Sequence, residues 1–382
     1  MKNFTTIFPF AENVHLIKDV GQIANTVATF GDYEAKLVCF KNSENYSFLN
    51  TEASHLKIDF IAPIGKQLFK EKAVLKYIKE HAKEIDVLHF FHLTKETIYY
   101  ALYYKKHHPK GKVYVKMDLY NEILLKEIKY SKKSIFNWFH KQKESQFFKE
   151  VTAISVENPI ALDLLKKKFP VLKEKAFLLT NGVNDKYLSK QFAKIKSFKE
   201  KENIILSVGR IGAKDKNSEM LLDAFVNSNL LDWKLMFVGP LENGFRERVE
   251  QVLLKKPLLK NQIELVGGVE DRVQLYEYYN RSKICCLTSP FESFGIAFIE
   301  AMYFGNYVIG TSGMSSLKYI TNNFELGGVV AVDDGEALAG LLAKTTADEV
   351  FLKQNYQKAK DRIADKFYWS KIVNSLLNKL AD

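Results

Sequence analysis

Short apolar runs alternate with longer amphipathic stretches along the first half of the chain. The apolar runs are predicted to be strands, at 6–8, 35–40, 58–61, 86–91, 112–117 and 151–155. The stretches between them repeat their apolar positions at helical spacing and are predicted helices, near 14–28, 65–83, 94–107, 121–148 and 158–168. Strands that alternate with helices build a parallel sheet covered by helices on both faces. The first half is therefore predicted to be a doubly wound α/β domain.

A second strand–helix series follows the first. Its predicted strands are 203–210, 234–239, 263–267, 284–287, 308–310 and 329–331. A length of 382 residues exceeds the usual size of one domain, so we expect two Rossmann-like domains facing each other across a cleft. The predicted boundaries are a first domain of 1–184, a polar, Lys-rich linker of 185–202, a second domain of 203–365 and a final amphipathic helix within 366–382.

One stretch, Pro290–Ala301, combines a predicted loop with a predicted helix. It follows the apolar run 284–287, and from Ile296 onward its apolar residues recur at helical spacing. The residues just before Ile296 are therefore predicted to be a strand-to-helix loop, in which Gly295 lets the backbone approach a ligand closely. Such a junction presents free N–H groups and the positive end of a helix, which suit a phosphate.

Charged side chains accompany this predicted anion site. Glu292 precedes the helix and Glu300 lies inside it, and carboxylates beside a phosphate are suited to hydroxyl groups, as on a ribose or a hexose. Arg210 is the first Arg of the chain, after 35 Lys, and Lys216 follows it near a predicted helix start. Two fixed cations of this kind suit an anionic ligand. The plainer alternatives are two solvated Glu and a surface ion pair.

These segments resemble a known family. The pattern Pro-x-Glu-Ser-Phe-Gly-Ile-x-x-x-Glu-Ala at 290–301 resembles the Glu-x7-Glu signature of family 4, the retaining glycosyltransferases of GT-B fold. Ser207–Arg210 with Lys216 and Asn217 resembles the family's Gly-Arg…Lys-Asn/Gly motif, and Asn-Gly-Val-Asn at 181–184 resembles the turn that closes its first domain. The resemblance is good over 203–345 and looser over 1–180. It implies a final helix that crosses back to the first domain.

The resemblance also implies roles for individual residues. Glu300 would accept hydrogen bonds from ribose hydroxyls and Glu292 would contact hydroxyls of the donor sugar, while Arg210 and Lys216 would stabilise the leaving diphosphate. The backbone N–H groups of Phe294, Gly295 and Ile296 would touch the phosphates or the sugar. Gly268 and Val269 stand where the family lodges the base.

In the first half the matches to the family are less complete. Gly21 is predicted either to approach the donor phosphate or to be an ordinary helix or turn glycine, because the family's Gly-Gly pair is missing. Many members place a His at the end of the fifth strand, where this chain has Asp118, which could bind a sugar hydroxyl or the acceptor. His92 is an alternative, although a lone His is more often structural.

The implied reaction is transfer of a hexose or N-acetylhexosamine with retention, from a nucleotide sugar, with UDP as the expected nucleotide. The acceptor would be a glycan, lipid-linked or protein-linked, as in bacterial surface polysaccharide assembly. No cofactor is expected, and no Asp-x-Asp motif appears, consistent with metal independence. The alternative is a catalytically inactive GT-B scaffold that binds a partner glycosyltransferase.

Charge is uneven along the chain. Residues 1–190 hold 31 Lys, no Arg and 21 acidic residues, for a net charge of +10 out of +11. This half is predicted to prefer an anionic partner or simply to present a solvated Lys-rich surface. Nucleic acid is disfavoured, because the basic half lacks Arg and any base-reading motif. Residues 126–149 interleave Lys with Trp and Phe, which suits either docking on an anionic membrane or packing into the core.

The three Cys have no metal-ligand spacing and the N-terminus has no signal-peptide pattern. Both features favour a cytoplasmic protein with buried thiols, and a peripheral position at the inner face of the membrane is left open as an alternative.

Overall fold

The structure is a computed structural model that describes residues 1–65, 71–117, 135–242 and 244–381, with the backbone alone at 135–140. The chain divides into two compact units. One unit is Met1–Tyr187 together with Trp369–Asp382, and the other is Leu188–Tyr368. The boundary after Tyr187 falls inside the stretch predicted as a linker, and that stretch contains a helix, Asp185–Gln191.

The first unit is built on a parallel sheet of seven strands in the order β3-β2-β1-β4-β5-β6-β7. Its strands are β1 Lys2–Ile7, β2 Tyr33–Cys39, β3 Leu56–Phe60, β4 Val87–Phe91, β5 Lys112–Met117, β6 Ala153–Val156 and β7 Ala176–Leu178. Each pair of neighbours is parallel, so every connection crosses over one face of the sheet. The order reverses beside β1, which is where doubly wound sheets form a crevice at their carboxyl edge.

Helices cover both faces of this sheet. They are α1 Asp19–Phe30, α2 Lys72–His81, α3 Lys95–His107, α4 Ile135–Glu150, α5 Pro159–Lys168, α6 Asp185–Gln191 and the terminal α14 Trp369–Ala381. The terminal helix packs beside α1, and Trp369, Ile372 and Leu376 enter the same core as Ile23 and Val27. Its amphipathic sequence thus buries one face in the first unit.

The turn at 181–184 ties the terminal helix to the first unit. The backbone oxygen of Val183 accepts from the amide of Trp369 at 3.1 Å. Asn184 donates from Nδ2 to Gln22 Oε1 at 3.1 Å and to the backbone oxygen of Glu52 at 2.9 Å. The motif therefore joins three segments of the unit that are distant in sequence.

The second unit repeats the plan with a parallel sheet of six strands in the order β10-β9-β8-β11-β12-β13. Its strands are β8 Glu202–Val208, β9 Lys234–Val238, β10 Ile263–Gly267, β11 Ser282–Cys286, β12 Tyr307–Thr311 and β13 Gly327–Val330. Its helices are α7 Ser218–Ser228, α8 Phe245–Lys255, α9 Arg272–Arg281, α10 Ile296–Tyr303, α11 Leu317–Ile320, α12 Gly335–Ala347 and α13 Glu349–Lys366.

The α/β class and the two Rossmann-like sheets predicted from the sequence are confirmed. Strand bounds differ by a few residues, as at β1, where the prediction of 6–8 missed Lys2–Thr5. Three of those four residues, Lys2, Asn3 and Thr5, are polar, so the apolar run that usually marks a strand in a parallel sheet is absent there. Of the helix predicted over 121–148, residues 121–134 lie outside the described part, and the described portion is α4.

The three cysteines are free and buried, as predicted. Burial raises the pKa of the Cys39 thiol to about 11 and holds those of Cys285 and Cys286 still higher. All three therefore remain neutral thiols at physiological pH. Across the described ranges of the chain, none of the helices combines the length and apolar character needed to cross a bilayer.

Candidate functional site

The first wall of the site is the loop from β8 to α7, which carries Arg210 and Lys216. It leaves the carboxyl end of β8 after Val208 and ends where α7 begins at Ser218. Thr288, just past β11, donates from Oγ1 to the backbone oxygens of Lys216 at 3.1 Å and Asn217 at 2.7 Å. These two bonds fasten the loop to the neighbouring strand end and hold the backbone at Lys216 and Asn217 in place.

The second wall is the loop from β11 to α10. Gly295 is the residue before the helix and has φ +89°, a left-handed conformation that glycine adopts without strain. Ser315 and Ser316 each donate to the backbone oxygen of Ser293 at 2.8 Å, and the Glu292 amide donates to Gly313 at 3.3 Å. The loop is thereby held against the chain that follows β12, so Glu292 and the start of α10 are kept in a fixed relationship.

An ion pair joins the two loops. Lys216 Nζ lies 2.7 Å from Glu292 Oε2, and the two side chains are 28% and 26% exposed. Strand β8 lies beside β11 in the sheet, so both loops leave the same edge at adjacent positions. A cation, a carboxylate and the amide end of α10 therefore come together in a half-open position.

The second predicted cation, Arg210, is more exposed, with 57% of its side chain in solvent. Its Nη2 donates to both carboxylate oxygens of Asp215, at 2.8 and 2.7 Å, and its Nη1 lies 3.8 Å from Glu242 Oε1. Arg210 is thus held by acidic partners rather than by the Lys216–Glu292 pair.

Glu300 lies on the second turn of α10 and its side chain is 10% exposed. Arg272 Nη2 donates to its Oε1 at 2.5 Å, and the hydroxyl of Tyr279 donates to its Oε2 at 3.2 Å. Both donors belong to helix α9. Because a buried carboxylate without hydrogen-bond partners is costly, these two bonds offset part of the desolvation of Glu300.

The segment predicted to lodge a base precedes α9. Strand β10 ends at Gly267, Gly268 is exposed and Val269 is half-buried. Asp271 caps α9 by accepting the amide of Val273 at 2.8 Å, and Arg272 then reaches Glu300. The predicted base segment therefore leads within a few residues to the carboxylate predicted to bind the ribose.

Phe294 and Ile296 occupy different environments on either side of Gly295. The ring of Phe294 is 2% exposed and packs edge-on against Phe367 at a centroid distance of 6.1 Å. Ile296 is the half-buried first residue of α10. The amides of the first turn of an α-helix have no acceptor within the helix, so the backbone at Ile296 is suited to an anion.

In the first unit, Gly21 lies in the first turn of α1 and is buried. A Cβ at this position would come within 2.3 Å of the backbone oxygen of Leu16, and the Gly21 amide donates to Lys18 at 3.2 Å. Close packing alone therefore accounts for the glycine. His92 follows β4 with φ +60°, and its amide donates to Lys116 at 2.8 Å. Asp118 lies outside the described residues.

Two features of the site were missed by reasoning from sequence, namely the Arg272–Tyr279 pair on α9 and the Asp215 partner of Arg210. Asp215 stands between the two predicted cations, so its position was a usable signal. Arg272 is 28 positions before Glu300, and only the packing of α9 on α10 brings them together. Throughout the described ranges, no group of three or more His, Cys, Asp or Glu is placed to hold a metal ion.

The second unit is similar in sequence to known proteins. Residues 189–362 match the family model described as glycosyl transferases group 1. A relative from Campylobacter jejuni is 31% identical over 188 residues, covering 47% of this chain and 50% of its own length. It is named GalNAc-alpha-(1->4)-GalNAc-alpha-(1->3)-diNAcBac-PP-undecaprenol alpha-1,4-N-acetyl-D-galactosaminyltransferase.

A second relative, the phosphatidyl-myo-inositol mannosyltransferase of Mycobacterium leprae, is 26% identical over 218 residues, 56% of each chain. The chain thus spans about half the length of these curated relatives. Among solved structures, Anabaena HepE in complex with UDP superposes with a TM-score of 0.71 over 100% of both chains at 14% identity. This similarity shows that the fold is GT-B, the fold of such glycosyltransferases.

Proposed function

We propose that the chain is a glycosyltransferase of the retaining, family 4 type that transfers a hexose or N-acetylhexosamine from a nucleotide sugar, with UDP as the expected nucleotide. The observation that carries the proposal is the Lys216–Glu292 pair at 2.7 Å beside the start of α10. It brings a cation and a carboxylate together near the first amides of a helix. A nucleotide sugar requires those three groups at the bond between its diphosphate and its sugar.

The diphosphate would lie at the start of α10, against the amides after Gly295, with Lys216 beside it and Arg210 approaching from the exposed side. The ribose would lie against Glu300 and the base against Gly268 and Val269. The similarity of fold to HepE, which was solved with UDP, supports this choice of nucleotide.

In the proposed reaction, the acceptor hydroxyl attacks the anomeric carbon from the face that the diphosphate leaves. The bond between that carbon and the phosphate oxygen breaks, its electron pair stays on the diphosphate, and a diphosphate oxygen takes the acceptor proton. Lys216 has three N–H donors, so it can keep its bond to Glu292 and still donate to the phosphate. Glu292 would hold a hydroxyl of the sugar, and the two cations would stabilise the charge in place of a metal.

The acceptor is proposed to be a glycan that is lipid-linked or protein-linked. The names of both curated relatives include lipid acceptors, undecaprenol diphosphate and phosphatidylinositol, which supports the first of these. The net charge of +10 on residues 1–190 suits the anionic inner face of a membrane. On helix α4, Lys141, Lys143 and Lys149 are exposed. We therefore place the enzyme in the cytoplasm, peripheral to that surface.

A catalytically inactive scaffold remains the second candidate, because Arg210 is paired with Asp215 rather than free. Acceptor-free hydrolysis of a panel of UDP-, GDP- and ADP-sugars distinguishes the two, with release of the nucleoside diphosphate as the readout. The proposal predicts release from at least one UDP-sugar. Binding of UDP without release from any donor would favour the scaffold, and absence of both binding and release would overturn both.

A further inference from the structure

Helix α9 supplies a donor to each oxygen of the Glu300 carboxylate. Arg272 is the first residue of α9 and Tyr279 lies two helical turns later, so both side chains leave the same face of the helix. Arg272 reaches Oε1 at 2.5 Å, and Tyr279 reaches Oε2 at 3.2 Å. Two donors on one rigid element fix both the plane and the rotation of the carboxylate.

Each donor is itself held in place. The Arg272 guanidinium lies 4.4 Å from the ring centroid of Tyr276 and also donates to the Tyr276 hydroxyl. Tyr279 is fully buried, and burial together with the nearby charge of Glu300 raises its pKa well above the ordinary value. The Tyr279 hydroxyl therefore remains protonated and can only donate to the carboxylate.

We propose that Arg272 and Tyr279 are positioning residues that orient Glu300 to accept hydrogen bonds from two neighbouring hydroxyl groups, the cis-diol of a ribose. The inference rests on the proposed function, because the proposed function assigns the nucleotide to the second unit. A carboxylate has about four acceptor positions. With one position on each oxygen occupied by α9, each oxygen keeps one acceptor position for a ligand hydroxyl.

The test compares binding of UDP and 2′-deoxy-UDP by calorimetry. In the wild type, loss of the 2′-hydroxyl should weaken binding by about tenfold or more, since a bond to a charged acceptor is lost. The ratio of the dissociation constants for 2′-deoxy-UDP and UDP should fall by roughly threefold or more in Arg272→Lys and in Tyr279→Phe, because a carboxylate held less firmly discriminates less well between the two ligands. Turnover should show a raised donor KM with kcat nearly unchanged, since Glu300 is remote from the reacting bond.

Matched controls come from the same helix. Arg281 forms a similar ion pair with Glu202 at 2.6 Å, and Tyr278 neighbours Tyr279. Arg281→Lys and Tyr278→Phe should keep the wild-type ratio. If the Arg272 and Tyr279 variants bind UDP and 2′-deoxy-UDP more weakly by the same factor, the ratio of the two dissociation constants stays unchanged. That result would give these residues a purely structural role and overturn the inference.

The remaining outcomes separate this inference from the proposal beneath it. A wild-type protein that binds UDP and 2′-deoxy-UDP equally would refute the role of Glu300 while leaving the glycosyltransferase intact. A wild-type protein that binds neither ligand would remove the proposed function, and the inference with it. If thermal denaturation shows that the Tyr279→Phe variant is not folded, the milder Arg272→Lys variant decides the test.

Discussion

Lys216 and Glu292 are 76 positions apart in the chain, yet Lys216 Nζ donates to Glu292 Oε2 at 2.7 Å. Each lies in a loop at the carboxyl end of a strand, and the two strands, β8 and β11, are neighbours. A partly exposed ion pair contributes only about 0–1 kcal/mol to stability. Stability alone is thus a weak reason to hold these two groups together at a strand edge, and a charged ligand is a stronger one.

Loss of either proposed cation should slow turnover without unfolding the protein. Lys216→Ala and Arg210→Ala should each reduce kcat by about 10²–10³-fold, because a charge facing the leaving diphosphate is removed. Steady-state release of the nucleoside diphosphate measures this effect. Lys214→Ala is the control, since Lys214 lies exposed in the same loop. Near-normal turnover of both Ala variants would remove the phosphate role.

Glu300→Gln should weaken binding of the nucleoside diphosphate by about 1.5–3 kcal/mol, because a charge-assisted hydrogen bond is lost. Calorimetry with UDP measures the change, and thermal denaturation reports any instability from leaving Arg272 without its ionic partner. Glu202→Gln, which alters the pair with Arg281 at the other end of α9, should bind UDP normally. Unchanged affinity in Glu300→Gln would place the ribose elsewhere.

Activity should persist in excess chelator, because in the proposed reaction Arg210 and Lys216 would supply the positive charge that a divalent ion otherwise provides. Donor turnover with and without EDTA is the measurement. Dialysis against chelator followed by addition of magnesium or manganese serves as the control. Activity that disappears with chelator and returns with either ion would show that the cationic side chains are insufficient.

The basic first unit should bind anionic vesicles in a salt-dependent way. Each Lys near such a surface contributes about 1 kcal/mol, so Lys141→Glu with Lys149→Glu should weaken binding to phosphatidylglycerol vesicles at least tenfold. Co-sedimentation at low and high salt measures this. Lys344→Glu with Lys353→Glu, an exposed pair in the second unit, is the matched control. Equal, negligible pelleting with neutral and anionic vesicles would indicate that docking does not occur.

Much of the fold could be predicted because strands in a parallel sheet are continuous apolar runs, and their helices have a different period. Strands β5 and β10 begin and end at the predicted residues. The loop before α10 was also predictable, since Gly295 interrupts two clear periodicities. The local sequence pattern was sufficient for features that depend only on neighbouring residues, such as strands, helices and this loop.

The partners of the site residues could not be predicted in the same way. Arg272 reaches Glu300 across 28 positions, and Lys216 reaches Glu292 across 76. Such pairs depend on which strand edges and helices become neighbours, and a single sequence does not record that. The requirement for glycine at 21 likewise comes from contact with Leu16, which is visible only once the chain turns back on itself.

A crystal structure of the protein with UDP tests the central claim most directly. The account predicts the diphosphate within hydrogen-bond distance of Lys216 Nζ and of the amides at the start of α10, with the ribose hydroxyls against Glu300. The Arg272 and Tyr279 bonds to Glu300 should remain in place. UDP bound away from these groups would contradict the account, and so would crystals soaked in excess UDP that bind none.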